Sequence, residues 1–254
     1  MPVRLIGLLP PLALVIIWEL CGQYHMLPRY LVPPSLIVST TWRMLLSGEL
    51  IGHIGASMFR IAMGFLIGSI CGTAAGLISG SVRPVERFYE PLISLTYPVP
   101  KTAALPIIFA WFGLGDAAKI VAITLSIFYP CYIAAYYGAK SVAGIHIWSA
   151  RNMGATRLQI FFRIVLPSAL PQIFNGLRIA IGLSFIVMVT SELIAAQKGL
   201  GYLVGAAEDN MRFDIMWVAV VTIGIIGFCA DRILLMIRSR VLMGQLLGKD
   251  QAHG

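Results

Sequence analysis

Charged side chains are scarce in this sequence, and their scarcity decides its broad class. Of the 254 residues, 12% are charged and 58% are hydrophobic, whereas a soluble domain carries about a quarter charged residues. So few charges cannot cover a water-facing surface, which excludes an ordinary soluble domain and predicts one membrane domain over residues 1–254. The net charge is +8, but the basic residues fall in short gaps between apolar runs, a pattern typical of membrane topology and not of nucleic-acid binding.

Metal ligands, a disulfide framework and an ATP-binding loop are missing as well. The four cysteines lie singly in four separate apolar runs, and the four histidines are equally scattered, so no metal site or disulfide is expected. The sequence has no G-x-x-x-x-G-K-[ST] phosphate loop, since Gly248-Lys249 lacks the upstream glycine and the following Ser or Thr. We therefore expect no catalytic residue and no cofactor bound by this chain.

Long apolar runs are what the sequence has in abundance. A helix needs about 20 apolar residues to cross a hydrocarbon core about 30 Å thick. With the N-terminus placed in the cytoplasm, twelve Lys and Arg residues lie on the cytoplasmic side and six on the other, so both termini are predicted to be cytoplasmic. The predicted transmembrane helices cover about 5–22, 57–80, 92–112, 118–138, 168–195 and 215–236.

The second run carries glycine at every fourth position. Residues four apart share a helix face, so these glycines form a stripe without side chains along which another helix can approach closely. The pattern does not name the partner helix, although packing within the chain is the default. The glycines of this predicted helix-packing stripe are Gly64, Gly68, Gly72, Gly76 and Gly80.

Prolines interrupt the third and fourth runs. Pro98, Pro100 and Pro106 lie in the third run and Pro130 lies in the fourth, and each removes a backbone hydrogen bond. Broken helices at membrane depth occur where the freed groups face protein or a water-filled cavity. Proline is also common in membrane helices of every kind, so a cavity lining and an ordinary kink both stay open.

Polar side chains within the apolar runs are the candidates for a solute path, because ionisable groups are costly in hydrocarbon. Glu192 either lines the path or bonds a neighbouring backbone, and the structural role is favoured because a carboxylate would repel an anionic solute. Lys101 either binds an anionic solute or reaches to the membrane interface. The candidate path residues are Tyr97, Lys101, Tyr129, Tyr132, Ser184, Thr190, Ser191 and Glu192.

The longest predicted cytoplasmic loop contains the basic stretch RNMGATRLQIFFRIVLP, Arg151 to Pro167. Four residues at i, i+3, i+7 and i+11 predict a narrow face of mostly small residues on a short helix. Gly154 would let a partner approach the backbone. Such a helix suits a socket on a soluble partner or an anionic lipid surface. The four residues are Ile147, Ala150, Gly154 and Leu158.

This loop resembles the permease-subunit loop of bacterial ABC importers, whose pattern is E-A-A, three residues, G, nine residues, I-x-L-P. Ala150 stands at the final alanine, Gly154 at the glycine and Ile164–Pro167 at the end, with nine residues between. Trp148 stands where the glutamate usually is, and Ser149 replaces the first alanine. The role of an acid in the ATPase contact stays open at this point, whereas the glycine-centred docking surface is expected.

The resemblance extends over nearly the whole chain, to the nitrate/sulfonate/taurine branch of these permeases. It implies a type I ABC importer permease fold: all-α integral membrane, six transmembrane helices, and a cytoplasmic coupling segment at about 145–167. The residues it assigns to ATPase coupling are Trp148, Ala150, Arg151, Gly154, Ala155, Arg157 and Leu158. The stretches that carry it include PPSLIVSTTWRMLLSGELIGHIGASMFRIAMGFLIG, PLISLTYPVPKTAALPIIFAWFGLGDAAKI, LPSALPQIFNGLRIAIGLSF and TSELIAAQKGLGYLV.

The resemblance also implies a machine of several subunits in the bacterial inner membrane. A second permease copy would form a homodimer, two ATP-binding-cassette subunits would hold ATP and Mg, and a periplasmic or lipid-anchored solute-binding protein would deliver a small anionic solute. Membrane lipid would surround the chain, and no nucleic acid is expected. Transport would proceed by alternating access.

Two other function classes remain at this point. An ion-coupled secondary transporter or channel would work without an ATPase, but the loop pattern and the lack of a detectable inverted repeat speak against it. An integral membrane enzyme would need clustered acid–base or ligand residues. Glu19, Glu192 and Asp231 lie on different predicted helices, and none neighbours a histidine in the sequence.

Overall fold

Helices form all the regular structure in the part of the chain that the structure describes. The structure, a computed structural model, describes residues 9–24, 26, 28–142 and 144–250, with the side chains of 243–250 left out. A 3-10 turn, Lys101–Ala104, precedes α5, and a π-helical turn, Phe161–Val165, joins α8 to α9. The α-helices are α1 (Leu9–Gln23), α2 (Pro34–Leu46), α3 (Glu49–Ser81), α4 (Arg83–Thr96), α5 (Leu105–Phe112), α6 (Asp116–Lys140), α7 (Gly144–Asn152), α8 (Arg157–Ile160), α9 (Leu166–Ala195), α10 (Leu200–Asp209) and α11 (Phe213–Asp250).

Four helices of the described chain are long and apolar enough to cross a membrane. A fifth crossing results if Arg83–Thr96 and Lys101–Phe112, which are bent by 85° at their break, are counted as one span. Helix α1 is apolar but has 15 residues, and residues 5–8 of the predicted first run lie outside the described residues. The four long spans are Glu49–Ser81, Asp116–Lys140, Arg157–Ala195 and Phe213–Leu242.

The span predicted over 92–112 is divided in two at its prolines, as the sequence indicates. Helix α4 ends at Thr96, and the chain bends before the 3-10 turn. Pro98 and Pro100 favour the break because a proline has no N–H to donate to the preceding helical turn. Pro106 lies in the first turn of α5, where its missing N–H costs nothing.

The chain divides into two compact units, Met1–Met58 with Glu192–Ile225 and Phe59–Ser191 with Ile226–Gly254. In the first unit the Trp217 indole donates to the Tyr30 carbonyl at 2.8 Å. The Trp18 ring lies 5.3 Å from the Trp217 ring, between centroids. These contacts join helices α1 and α11 and the segment between α1 and α2 within that unit.

In the second unit, the glycine stripe packs α3 directly against α6. A methyl group added at Gly72 would lie 2.5 Å from the Phe128 carbonyl oxygen, and one at Gly80 would lie 2.7 Å from the Tyr136 carbonyl oxygen. Gly64, Gly68 and Gly76 face the same helix. The stripe therefore packs within the chain, where the absence of side chains lets two backbones meet.

Buried basic side chains fix the start of α6 in the same unit. Lys119 is 2% exposed and donates to the carbonyl oxygens of Leu114 at 2.6 Å and Gly115 at 3.2 Å. The buried Arg60 guanidinium donates to Asp116, the first residue of α6, at 2.7 Å. The Lys119 ammonium and the Arg60 guanidinium thus donate hydrogen bonds to carbonyl and carboxylate groups that hydrocarbon could not solvate.

We predict that Gly72→Ala destabilises the protein. Alanine favours a helix by about 0.5–1 kcal/mol over glycine, but here its methyl group would meet a backbone oxygen that cannot turn aside. The expected net loss is about 1–3 kcal/mol, measured as a lower melting temperature in detergent. Gly55→Ala is the control, since Gly55 lies on the same helix with nothing within 4 Å. Equal melting temperatures for the two variants would contradict the packing argument.

Candidate coupling segment and membrane cavity

The predicted coupling helix ends earlier than the sequence pattern indicates. Helix α7 stops at Asn152, and Gly154 takes a φ of +81°. The amide of Ala155 donates to the Ala150 carbonyl, and the amide of Gly154 donates to the Arg151 carbonyl, both at 3.0 Å. These two bonds are the Schellman motif, which ends a helix at a left-handed glycine.

A second helix begins at once, after Thr156. The Thr156 side chain accepts from the Gln159 amide, and the Gln159 side chain accepts from the Thr156 amide, which makes a reciprocal capping box. Arg157 and Leu158 therefore start the 39-residue helical run Arg157–Ala195. The prediction of a single face through Ile147, Ala150, Gly154 and Leu158 is wrong, because the Gly154 turn separates two helices.

The segment presents one face to the protein and another to its surroundings. Ile147, Ala150 and Ala155 pack against a buried cluster of the second unit that includes Leu77 and Ile160. The two alanines of the predicted coupling set therefore point inward, and they fix the segment to the helices that cross the membrane.

The outward face is apolar and basic. Trp148 is 62%, Leu158 70% and Met153 83% exposed. Arg151 and Arg157 are also exposed, and residues 144–165 contain no acidic side chain. Met153 was missed in the sequence because it lies in the turn and not on the predicted helical face.

Gly154 serves the turn, and its environment shows why. Nothing lies within 4 Å of the position that its side chain would take. A side chain there would meet no steric obstacle within the chain, so the positive φ is the reason for glycine. The predicted role of Gly154, to admit a partner's backbone, stays a prediction.

The proline break beside α4 opens a cavity of about 590 Å³ in the second unit. Three of the predicted path residues line it: Tyr97, Lys101 and Tyr129. The Lys101 ammonium lies 4.0 Å from the centroid of the Tyr129 ring. A cation held over an aromatic face is attracted to its π-electrons, so the predicted residues and the predicted break belong to one place.

Lys101 also forms hydrogen bonds with the backbone of the break itself. Its ammonium donates to the carbonyl oxygens of Thr96, Tyr97 and Val99 at 2.8, 2.7 and 2.8 Å. A continuing helix would bond the Thr96 carbonyl to the amide that Pro100 lacks, and all three carbonyls lie at the break where regular helical bonding stops. The side chain turns back onto its own loop, which places its charge at the wall of the cavity.

Two amides that the sequence reasoning missed also line this cavity. Gln172 and Asn175 project from α9, and the Asn175 amide donates to the Gln172 side chain at 3.4 Å. Their spacing of three puts both on one helix face. Two amides at that spacing in an apolar run were a signal that the sequence contained.

The other predicted path residues do not line this cavity. Ser184, Thr190 and Ser191 donate their hydroxyls to carbonyls of the preceding helical turn. Tyr132 is buried, with its ring stacked between Phe128 and Tyr136. Local backbone bonding is the usual alternative use of a helical hydroxyl, and depth in the chain did not distinguish it from a solute contact.

Glu192 is a structural anchor of the first unit. It is fully buried, its carboxylate oxygens lie 2.9 and 2.8 Å from the Ser57 hydroxyl, and the Gly201 amide donates to it at 2.9 Å. Ser57 in turn accepts from the Leu200 amide at 2.7 Å. A carboxylate held this way satisfies orphan N–H groups at the start of α10, which agrees with the favoured structural role.

Comparison with known proteins places this arrangement in a family. The family model described as "Binding-protein-dependent transport system inner membrane component" matches residues 64–243. The chain belongs to this family.

Relatives and solved structures agree with the assignment. The chain is 33% identical over 223 residues to the taurine transport system permease protein TauC of Escherichia coli (strain K12), covering 86% of this chain and 81% of the relative. It is 30% identical over 237 residues to the putative aliphatic sulfonates transport permease protein SsuC of Bacillus subtilis (strain 168), covering 93% and 86%.

The solved structure of the inward facing MetNI methionine ABC transporter matches with a TM-score of 0.64 at 20% identity, over 76% of this chain and 95% of that one. This likeness shows the fold. The expected class, an all-α integral membrane protein with a type I importer permease fold, is confirmed, and so is the expected family. Membership also places the chain in an inner membrane as a multi-pass protein of a transport system.

We predict that Gly154→Val lowers the thermal stability of the protein, whereas Gly154→Asn retains most of that stability. A β-branched residue at φ +81° costs about 1–2 kcal/mol, whereas asparagine tolerates the left-handed region. The measurement is thermal unfolding of the purified variants. If valine and asparagine behaved alike, the turn would not be the reason for glycine.

Proposed function

We propose that this chain is the transmembrane subunit of an ATP-driven importer for a small anionic solute. Two copies form the translocation path and alternate between inward and outward access. Two ATP-binding-cassette subunits bind ATP and Mg and dock on the coupling segment, and a periplasmic or lipid-anchored binding protein supplies the solute. Both termini lie in the cytoplasm. Family membership and the missing phosphate loop support the assignment of the membrane path to this chain and of ATP binding to separate subunits.

The outward face of the coupling segment is the observation that carries the proposal. Trp148, Met153 and Leu158 expose a set of large apolar side chains. The opposite face is anchored through Ile147 and Ala150 to the buried cluster of the second unit. A force on the outward face therefore reaches the membrane helices through packed side chains, which is what an ATPase needs in order to move them.

We predict that Trp148→Ala weakens binding of the ATPase subunit. A buried tryptophan at an interface contributes about 2 kcal/mol or more, roughly a thirtyfold change in affinity. The measurement is co-purification and titration of the partner ATPase with the permease in detergent. Trp111→Ala is the matched control, because Trp111 is 78% exposed and lies outside the coupling segment.

Equal ATPase binding by the Trp148 and Trp111 variants would overturn the docking assignment. Solute uptake by this chain alone in liposomes, driven by an ion gradient, would instead favour a secondary transporter. The two results are independent, since the first concerns the docking face and the second concerns the energy source.

The solute class follows from the relatives and from the cavity. The names of two relatives specify taurine and aliphatic sulfonates, which are small molecules with a sulfonate group. The cavity places the Lys101 cation beside the hydrogen-bonding groups of Tyr97, Gln172 and Asn175. A positive wall with a few polar groups in an apolar setting suits a small anion.

We predict that Lys101→Gln lowers taurine uptake by roughly tenfold, because one charge-assisted contact contributes about 1.5 kcal/mol. Lys101→Arg keeps the charge and should retain more uptake than the glutamine variant. The assay is ATP-dependent uptake in proteoliposomes of the full complex, with ATPase co-purification measured alongside. Wild-type uptake by Lys101→Gln, with normal assembly, would exclude Lys101 from the solute path.

A further inference from the structure

A second cavity, of about 420 Å³, lies beside the coupling segment in the second unit, and residues of the segment's exposed face help to line it. The junction of α3 and α4 forms one wall, and the segment itself forms the other. Val82, Ile147 and Leu158 are among the apolar side chains that line it, and three arginines line it as well: Arg83, Arg151 and Arg157. The three guanidinium groups come from separate helices that the fold brings together.

No ion pair neutralises these arginines within the described chain, although Glu86 interacts electrostatically with Arg83. Among the described residues, none makes a hydrogen bond or an ion pair with Arg83, Arg151 or Arg157, and no carboxylate lines the cavity. The acid in the first turn of α4, Glu86, is ion-paired with Lys140 and accepts from the Tyr136 hydroxyl at 2.6 Å. The cavity thus joins an apolar interior to a basic rim whose arginines form no ion pair among the described residues.

The depth of the cavity indicates what fills it. The apolar span of α3 ends at Ser81 and that of α6 ends at Lys140, and the cavity is lined by Ser81 and by Ala139. The ends of membrane spans mark the boundary between hydrocarbon and water. Phospholipid headgroups lie at this level, and basic pockets between helices there bind anionic headgroups.

We propose that this cavity binds an anionic phospholipid, with the phosphate on Arg83, Arg151 and Arg157 and the start of an acyl chain along the apolar wall. The bound lipid would bridge the α3–α4 junction and the coupling segment. Lipid composition would then affect how firmly the coupling segment is held. The proposal rests on the proposed function in one respect, which is that this surface faces the cytoplasm. The measurement of lipid binding does not depend on which side of the membrane the surface faces.

The test measures cardiolipin retained by the full-length chain after transfer from phosphatidylcholine nanodiscs with and without cardiolipin, using native mass spectrometry. We expect the wild type to retain cardiolipin selectively. The variant Arg83→Gln/Arg151→Gln/Arg157→Gln should bind roughly a hundredfold more weakly, about fivefold for each arginine. The matched control Arg87→Gln/Arg163→Gln/Arg238→Gln removes the same charge from arginines that do not line the cavity.

A second variant keeps every charge. Ser81→Phe puts a ring on an exposed position that lines the cavity, so it should reduce cardiolipin retention while the response to inorganic phosphate, read as a shift in melting temperature, is unchanged. If inorganic phosphate stabilised the wild type as much as cardiolipin does, the acyl chain would have no part and the lipid assignment would fall.

Equal loss of cardiolipin in the two triple variants would show a general charge effect and would overturn the site. Loss of ATPase binding by the cavity variant with full cardiolipin retention would assign the arginines to the protein partner, and would also overturn it. Because ATPase binding and lipid retention are separate readouts, failure of the lipid site is distinguishable from failure of the proposed function.

Discussion

A backbone amide or carbonyl without a partner costs several kcal/mol in hydrocarbon, and the interruptions of this fold follow from that constraint. At the proline break, the Lys101 ammonium donates hydrogen bonds to three backbone carbonyls. Lys119 donates to backbone carbonyls of the loop before α6. Glu192 and Ser57 accept hydrogen bonds from backbone amides at the start of α10. The polar residues that are most conspicuous in the apolar sequence therefore hold the chain where its helices stop.

The same constraint shapes the candidate functional surfaces. The break that Lys101 closes is also the wall of the larger cavity, so one side chain both stabilises the loop and sets the charge of the proposed solute path. At the coupling segment, the Schellman motif and the capping box satisfy the backbone of a sharp turn with local groups. A turn that needs no outside partner for its backbone leaves its side chains available for one.

Much of this arrangement was readable from residue patterns. The glycine repeat from Gly64 to Gly80 predicts close helix packing, and the structure shows that α6 is the partner. Pro98 and Pro100 indicate the break and, with Lys101, its polar lining. The coupling loop is recognised from the spacing of Ala150, Gly154 and Pro167. The prediction placed Ala150, Gly154 and Leu158 on one helix, because hydrophobic periodicity does not reveal a glycine with a left-handed backbone conformation.

The sequence by itself determined the membrane class, the family, the stripe and the place of the break, because hydropathy, glycine spacing and proline chemistry act within one helix or one turn. The tertiary structure alone decided which polar residues meet. Gln172 and Asn175 join Lys101, while Ser184, Thr190 and Ser191 bond their own helix. It also gathered Arg83, Arg151 and Arg157 around one cavity, since such contacts depend on helix packing between residues far apart in the chain.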